Sequence, residues 1–329
     1  MTQTVDIHAH IVPEHFPKQP ACCANGWPHM HHHPAGGADV MIDGKAFRRL
    51  DSRSWDVARR LGDMDAQGVA MQALSPMPEL LSYWLEAEAS LEMGRWVNSV
   101  IAGMISRAPT RFAGLGMVPL QDPELAAGEL ARLKADGLAG VQIGSNILGK
   151  TPGSPIFDPF FAEAERLGMA VFVHALHPLG TDRLVGPRPL AAFIGFPSDT
   201  GFAAASFITG GTLARFPRLR LAFSHGGGTL ASILPRLHQG WTIASEMQAA
   251  FASPRETARR MFYDNILFDA GSLRQCLHLF GETQILAGSD YPFVAGQNFP
   301  GRPFEALGLD AQVEAGLKSG NAKRFLGLT

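Results

Sequence analysis

The chain opens its first regular pattern with Val5-Asp6-Ile7-His8-Ala9-His10. Apolar and polar residues alternate here, which is typical of a short β-strand. Side chains two positions apart on a strand share a face, so we expect His8 and His10 side by side as the strand ends before Pro13. Neighbouring imidazoles suit a divalent metal, although two polar residues on a strand need no such role. The metal interpretation therefore depends on ligands later in the chain.

Composition bounds the class of protein. The chain has 329 residues, of which 46% are hydrophobic and 18% charged, and its net charge is −2. This is ordinary globular composition, long enough for one large α/β barrel or two smaller domains. Lysine and arginine are scattered, so we expect no nucleic-acid partner. The three cysteines lack a repeating spacing, and the sequence shows neither a signal-peptide pattern nor an apolar run of about 18 residues, so we expect a cytoplasmic protein that does not cross a membrane.

From residue 55 onward, short apolar runs alternate with segments of helical periodicity. Apolar runs bounded by turn residues are typical of strands buried on both faces. With the first strand, the pattern predicts eight strands, each followed by a helical segment. The predicted strands after the first are 69–74, 112–118, 140–143, 170–174, 219–225, 262–268 and 284–290. The predicted helices are 57–66, 86–106, 123–135, 159–167, 198–214, 229–250, 272–280 and 309–326.

This alternation predicts an α/β fold, a (β/α)8 TIM barrel that forms one domain over residues 1–329. An open doubly wound sheet is the alternative, but its glycine-rich phosphate loop should follow the first strand, where this chain has His-Ala-His-Ile-Val-Pro. Residues 15–54 lack clear periodicity, and we interpret them as an insertion over the active site with a hairpin near residues 40–47. The insertion contains a run of histidines for which we expect a solvated loop, with a second metal site as the alternative: His29, His31, His32 and His33.

Polar residues end several of the predicted strands. The active site of such a barrel lies at the carboxyl ends of its strands. Taken singly, each of these residues could be a capped strand end or a buried core histidine. Taken together, three histidines and a carboxylate around an open position describe a catalytic Zn²⁺ site, with Mn²⁺ as the alternative, and leave one histidine either to hydrogen-bond a ligand or to act as a general base. The residues are His8 and His10 on the first strand, His174 on the fifth, His225 on the sixth and Asp290 on the eighth.

Four motifs resemble the amidohydrolase superfamily, and more narrowly its non-oxidative decarboxylase branch. They are DIHAH at 6–10, VH at 173–174, SHGGG at 224–228 and GSDYPF at 288–293. Within that branch they resemble the 2-amino-3-carboxymuconate-6-semialdehyde decarboxylases, which MDAQGV at 64–69 and VPLQD at 118–122 also match. The resemblance implies that the metal ligands are His8, His10, His174 and Asp290, and that His225 and Asp290 are catalytic. Strand four lacks the bridging lysine of many hydrolytic members, which implies a single metal.

The resemblance also implies two arginines that bind substrate carboxylates. Arg48 follows the insertion hairpin, and Arg236 lies on the helix after strand six, from which it would reach the neighbouring subunit's site in a homodimer. Phe293 is implied as a further substrate contact. The planar guanidinium binds a carboxylate through two parallel hydrogen bonds. A solvated surface arginine is the alternative at both positions, and Arg49 could replace Arg48 by a slip of one residue.

We therefore expect a metal-dependent decarboxylase of an unsaturated or aromatic carboxylic acid in aromatic-compound catabolism. The alternatives are a hydrolase that uses the same site on a ring-fission product, lactone or amide, and a non-catalytic metal-binding barrel. The segments expected to contact substrate depart from the family: residues 175–177 read Ala-Leu-His where relatives have Pro-Trp, and residues 191–193 lack their Trp. These departures leave the substrate unidentified.

Overall fold

The computed structural model describes residues 4–21, 23–293 and 298–328. The described strands, in chain order, are β1 (Thr4–Ile11), β2 (Pro28–His32), β3 (Ala38–Ile42), β4 (Lys45–Leu50), β5 (Val69–Pro76), β6 (Phe112–Gly116), β7 (Gly140–Gly144), β8 (Ala170–His174), β9 (Arg220–Phe223), β10 (Phe262–Asp264) and β11 (Ile285–Leu286). The described α-helices are α1 (Val57–Gln67), α2 (Ala87–Arg107), α3 (Pro123–Ala135), α4 (Asp158–Leu167), α5 (Phe196–Thr209), α6 (Thr212–Arg215), α7 (Leu230–Ile243), α8 (Ser245–Ala250), α9 (Pro254–Ala258), α10 (Ala270–Phe280), α11 (Arg302–Glu305), α12 (Ala311–Ala315) and α13 (Asn321–Leu326).

Within the described ranges, eight parallel strands form one sheet in the order β1-β5-β6-β7-β8-β9-β10-β11, with helices between them. The chain beyond β11 returns to β1 and closes the sheet. Ile7 N donates to Ala287 O at 2.9 Å, and Asp290 N donates to His8 O at 2.8 Å. Ala9 and Tyr291 form a further parallel bridge. The predicted (β/α)8 barrel is therefore confirmed.

The barrel is filled by apolar side chains that point inward from alternate positions. Ile7, Phe172 and Leu286 are fully buried in this interior. Phe325 on α13 packs into the same cluster, so the last helix belongs to the barrel core. Since the strands are buried on both faces, β6, β8 and β11 are apolar along nearly their whole length, whereas β1 alternates apolar residues with buried polar ones.

Local signals placed several helices correctly. Asp122 accepts a hydrogen bond from Leu125 N at 3.0 Å and begins α3 at the predicted residue. Gly68 has φ 69° and ends α1, a backbone conformation that costs glycine little. The predicted helix 198–214 is instead divided into α5 and α6, because Gly211 adopts φ 68° between them. No helix in the described ranges is both long and apolar enough to cross a membrane.

The last two barrel strands are shorter than predicted. β10 ends at Asp264, whereas the prediction continued to residue 268. The Asp264 side chain explains the early end, because its Oδ1 accepts a hydrogen bond from Ile266 N at 3.1 Å and bends the chain out of the sheet. β11 ends at Leu286, and the chain then runs to Asp290, whose φ is 60°. The apolar sequence pattern continues beyond the point at which strand pairing stops.

A second, antiparallel sheet lies between β1 and α1 in the described part of the chain, in the order β2-β3-β4. β3 and β4 are joined by Asp43 and Gly44, which both have positive φ and form the tight turn of the predicted hairpin. The loop predicted for the histidine run is wrong, because His29 to His32 lie on β2 and pair with β3. The backbone of this polar run is satisfied by strand pairing, while most of its side chains stay exposed.

Candidate active site and metal centre

The four predicted metal ligands converge at the carboxyl end of the barrel. One ligand atom from each of His8, His10, His174 and Asp290 lies within 4.8 Å of all the others. Oδ1 of Asp290 is 3.1 Å from Nε2 of His10 and 3.5 Å from Nε2 of His8. The histidines are buried, so their positions are fixed by the surrounding core. Residues separated by more than 280 positions in the chain thus form one cluster.

The outer nitrogen of each imidazole faces a hydrogen-bond acceptor. Nδ1 of His8 donates to Asp264 Oδ2 at 2.6 Å. Nδ1 of His10 donates to Pro76 O at 3.1 Å, and Nδ1 of His174 donates to its neighbour's carbonyl, Ala175 O, at 2.8 Å. Because carbonyl and carboxylate oxygens only accept, these contacts place the proton on Nδ1 and leave Nε2 of each ring unprotonated toward the centre. Three such nitrogens and a carboxylate form a donor set that suits Zn²⁺ or Mn²⁺.

A buried polar atom also faces the cluster. Nε2 of His174 is buried and has no hydrogen-bond partner among the described residues. Nε2 of His8 and Nε2 of His10 lie 3.1 Å apart, although both are acceptors in the tautomers that their outer contacts require. A shared cation would satisfy all three nitrogens at once. The residues present therefore fit a single divalent metal.

The electrostatics favour positive charge at the centre. Burial lowers the pKa of His10 and lowers that of His174 strongly. Burial opposes charge on His8 as well, but hydrogen bonds to Asp264 and Asp290 raise its pKa to about 10, so His8 holds a second proton on Nε2 until a bound cation would replace it. Burial also opposes ionisation of Asp290, yet the close imidazoles of His10 and His8 hold its pKa well below the usual range. The carboxylates of Asp264 and Asp290 thus remain ionised and attract a cation.

His225 lies beside the cluster but outside the set of four ligands. Its ring centroid is 5.3 Å from that of His174 and 5.6 Å from that of His8. Burial lowers its pKa, which favours a neutral imidazole able to accept a proton. Its φ is 55°, a conformation that is uncommon outside glycine and clusters at functional sites. The glycines that follow hold this turn tightly, since a Cβ at Gly228 would lie 2.0 Å from Pro197 O.

A cavity of about 560 Å³ opens above the cluster. His10, His174, His225 and Asp290 lie in its wall, and so do phenylalanine rings contributed by several loops. Flat apolar rings around a few polar groups suit an unsaturated or aromatic small molecule. The phenylalanines are Phe47, Phe193, Phe196, Phe268 and Phe293.

The structure separates the two candidate arginines of the insertion. Arg48 on β4 lines the cavity, and its guanidinium lies 4.6 Å from the centroid of the Phe293 ring. Arg49 is not part of the cavity wall, and its Nη1 contacts Asp39 Oδ1 at 3.5 Å. Arg48 and Arg49 pair with β3 in regular register and therefore point to opposite faces of β4, whereas Phe47 lies at the pairing irregularity and lines the cavity beside Arg48. Arg48 and Phe293 are therefore brought to the site, as the sequence indicated.

Arg236 is not brought to the site of its own chain. It lies on α7 with an exposed side chain, and it is absent from the described wall of the cavity. α7 begins just after the glycine turn and runs along the outside of the barrel. Any role for Arg236 at this kind of site requires a second subunit.

Sequence reasoning missed Asp264. Its carboxylate is fully buried, holds His8 through Oδ2 and accepts from Gly226 N at 2.9 Å through Oδ1. Burial opposes its ionisation, but the hydrogen bond from His8 keeps its pKa below the ordinary value. The signal was present in the sequence as a carboxylate following the apolar Phe262-Tyr263 pair. Because we predicted that the strand ran on to residue 268, Asp264 was placed in its interior rather than at its end.

Asp6 is a buried carboxylate that accepts hydrogen bonds from several segments around the site. It accepts from His8 N at 3.1 Å, from Ser289 Oγ at 2.6 Å and from Gln72 Nε2 at 3.1 Å. Burial raises its pKa to about 6. These bonds join β1, β5 and the segment before Asp290, so they fix the spacing between the ligands on β1 and Asp290.

Comparison with known proteins identifies the fold family. The amidohydrolase family matches residues 5–328. The chain belongs to this family. The chain is 36% identical to 2-amino-3-carboxymuconate-6-semialdehyde decarboxylase of Dictyostelium discoideum, over 98% of this chain and 91% of that protein. It is 28% identical to gamma-resorcylate decarboxylase of Rhizobium radiobacter, over 77% of this chain and 82% of that protein.

A solved structure agrees with these relatives. The structure of this chain superposes with a TM-score of 0.73 on a variant of 5-carboxyvanillate decarboxylase from Novosphingobium aromaticivorans. The two are 25% identical, and the match covers 84% of this chain and 83% of that one. That structure holds manganese and 3-methoxy-4-hydroxy-5-nitrobenzoic acid. The resemblance to the decarboxylase branch of the superfamily, stated from the motifs, is confirmed.

Proposed function

We propose that this protein is a metal-dependent, non-oxidative decarboxylase of an unsaturated or aromatic carboxylic acid in aromatic-compound catabolism. One observation carries the proposal: three imidazoles and Asp290 converge at the wall of a cavity lined by phenylalanine rings. The relatives named above support it, because they are decarboxylases of an unsaturated acid and of an aromatic acid.

His8, His10, His174 and Asp290 would hold one divalent cation. We favour Zn²⁺ for a site with three imidazoles and one carboxylate, and Mn²⁺ is the alternative because a related decarboxylase carries it. The cation would act as a Lewis acid that stabilises negative charge on the substrate. Asp264 would keep His8 in the tautomer that binds metal.

His225 and Asp290 would hold or transfer the proton that the reaction consumes. Ser224 Oγ lies 3.2 Å from Nδ1 of His225, which leaves Nε2 for exchange with the substrate. His225 would take up one proton from solvent and deliver it to the carbon that bears the carboxylate. Conjugation is broken at that carbon, the bond to the carboxylate then breaks, and its electron pair returns to the ring or chain as CO₂ leaves. The net reaction consumes one proton and replaces the carboxylate with hydrogen.

We propose a homodimer in which Arg236 of one subunit completes the cavity of the other and binds a substrate carboxylate together with Arg48. Arg236 is exposed and lies outside its own cavity. Ile233 and Ile243 on the same helix and Phe202 on α5 are exposed apolar residues, which favours a covered surface in this region. Such a dimer would be two-fold symmetric and would contain two equivalent shared sites.

We further propose that residues 1–329 act as a single barrel domain and that the insertion 15–54 covers the active site. Phe47 and Arg48 of that insertion line the cavity, which supports this arrangement. A cytoplasmic location is proposed from the few cysteines. Cys276 is buried and carries a free thiol, whereas Cys22 lies outside the described residues. We expect neither nucleic acid nor membrane as a partner.

The test is product analysis with metal-loaded protein. We would incubate it with a panel of aromatic and muconate-type acids, measure CO₂ and analyse the second product by mass spectrometry. Decarboxylation in D₂O should introduce one deuterium where the carboxylate was lost. Chelated protein and His225→Asn are the controls, and both should release little CO₂. Hydrolysed products without CO₂ would reject the decarboxylase and support the hydrolase.

A further inference from the structure

Glu79 places a carboxylate in a cavity that is expected to bind an anion. It lies in the cavity wall, and its Oε1 accepts a hydrogen bond from Arg48 Nη2 at 2.9 Å. Its other oxygen, Oε2, is buried and has no hydrogen-bond partner among the described residues. The side chain is only 15% exposed, so water screens its charge poorly. A carboxylate in the wall of a binding cavity that keeps unused acceptor capacity is a candidate contact for a ligand.

The position of Glu79 is fixed by the same segment that holds the metal centre. It lies in the single helical turn Pro78–Leu81, just after β5 ends at Pro76. Pro76 O accepts from Nδ1 of His10, and Met77 N donates to Ile11 O at 2.9 Å. Leu80 and Leu81 of this turn are buried in the core. Glu79 is therefore anchored next to the proposed ligands and does not move freely in solvent.

A row of ring contacts connects the Arg48–Glu79 pair to the metal centre. The Arg48 guanidinium lies over the Phe293 ring, and that ring lies 5.3 Å from the His10 ring with an angle of 30° between their planes. A flat ligand bound at the metal can extend along these rings to the Arg48–Glu79 pair. The pair thus faces the part of the substrate that does not react.

The pair has both an acceptor and a donor to offer. Arg48 carries five N–H donors, of which Glu79 takes one, so several remain for a substrate oxygen. A substrate that presents only a carboxylate here would bring a second negative charge toward Glu79, which is unfavourable in a poorly solvated cavity. A substrate with an oxygen acceptor beside an N–H or O–H donor satisfies both partners. The chemistry of the pair therefore discriminates between these two kinds of acid.

We propose that Glu79 is a specificity-determining residue that selects acids with an amino or hydroxyl group, while Arg48 binds the neighbouring acceptor. This rests on the proposed function, since it assumes that a carboxylic acid binds at the metal centre. The substrate class is thereby narrowed to amino- or hydroxyl-substituted unsaturated or aromatic acids.

The test compares ligands that differ only in the donor. Isothermal titration of the metal-loaded protein would use 5-aminoisophthalate against 5-methylisophthalate, and 2-aminoterephthalate against 2-methylterephthalate. A hydrogen bond to a charged acceptor makes the wild-type protein bind the amino member of at least one pair about 10- to 100-fold more tightly. In Glu79→Leu this preference should fall to within about threefold, because the acceptor is removed. Glu79→Gln keeps an amide oxygen without the charge and should show an intermediate preference.

Glu92→Gln is the matched control, because Glu92 is exposed on α2 and is not part of the cavity wall. It should retain the full wild-type preference. Circular dichroism checks the fold of each variant, and Glu79→Gln alone decides the question if Glu79→Leu does not fold. Equal binding of both members of each pair by the wild type, no binding of either amino compound, or an undiminished wild-type preference in Glu79→Gln or Glu79→Leu would overturn the proposal.

The failure of this proposal can be distinguished from the failure of the proposed function. Binding is measured at equilibrium and needs no turnover. If the amino preference depends on Glu79 but no acid releases CO₂, the specificity proposal stands and the decarboxylase is wrong. If CO₂ is released and both members of each pair bind equally, the decarboxylase stands and Glu79 has no role in selection.

Discussion

Asp264→Asn should impair the metal centre without changing the shape of the site. In the native protein Oδ1 of Asp264 accepts from Gly226 N and Ile266 N, while Oδ2 accepts from Nδ1 of His8 at 2.6 Å. The asparagine oxygen will stay with the two backbone donors, because an NH₂ group there would oppose them. The NH₂ group then faces His8, whose Nδ1 must become an acceptor. The ring proton moves to Nε2, the nitrogen that should bind metal.

The size of the effect follows from the burial of the pair. Both side chains are fully inaccessible to solvent, so water cannot replace the lost carboxylate. Removing the partner of a metal-bound histidine commonly costs about 10- to 100-fold in metal affinity. That range corresponds to about 1.4–2.8 kcal/mol of binding free energy. We expect the Kd for Zn²⁺ or Mn²⁺ to rise by this factor, and CO₂ release at limiting metal to fall with it.

The assay is competition between the protein and a fluorescent chelator for the metal. Asp136→Asn is the control, since Asp136 is an exposed residue at the end of α3 and should leave the Kd unchanged. A thermal melt of each variant would exclude general unfolding. If Asp264→Asn folds normally and binds metal as tightly as the wild type, the tautomer argument is wrong.

Four further predictions concern the same molecule. Metal-loaded protein should contain one divalent ion per chain and melt above the chelated form, because saturation at a thousand times the Kd stabilises the native state by about 4 kcal/mol; elemental analysis that finds two ions or none would contradict this. His225→Asn should keep the metal and lose activity by about 10²- to 10⁴-fold, and loss of the metal would instead make His225 a ligand. Mixing Arg236→Ala with His225→Ala subunits should restore roughly one quarter of wild-type activity after random exchange, because half of the dimers are then mixed and one of the two sites in each mixed dimer is whole. Exchange without recovery of activity would exclude a shared site. Cys276 should resist thiol reagents at pH 8 in the native protein, since burial raises its pKa to about 12 and keeps the thiol protonated; mass spectrometry of labelled peptides would detect rapid modification if this is wrong.

Much of the fold was predictable because its determinants are local. Short apolar runs separated by helical periodicity predicted the barrel, and single residues such as Asp122 and Gly68 gave helix ends correctly. The convergence of His8, His174 and Asp290 followed from one general rule, that parallel barrel strands end on the same face. The turn of the insertion hairpin was also local, since Asp-Gly pairs favour it wherever they occur.

The choice between Arg48 and Arg49 required the tertiary structure. The two residues alternate across β4, so a shift of one position exchanges the side chain that faces the cavity. A register irregularity between Val40 and Met41 in the β3–β4 pairing sets that position. Such an irregularity belongs to the pairing of two strands, and nothing in the sequence of β4 indicates it.

Asp264 and Glu79 were likewise decided only by the tertiary structure. Each contacts a partner that is distant in the chain, Asp264 with His8 and Glu79 with Arg48. The sequence by itself determined which strands carry polar residues at their ends and therefore where the site lies. Which of those side chains oppose one another depends on the stagger of the closed barrel and on the loops that cover it, because hydrogen bonds are specific to within a few tenths of an ångström, a distance that strand order alone does not define.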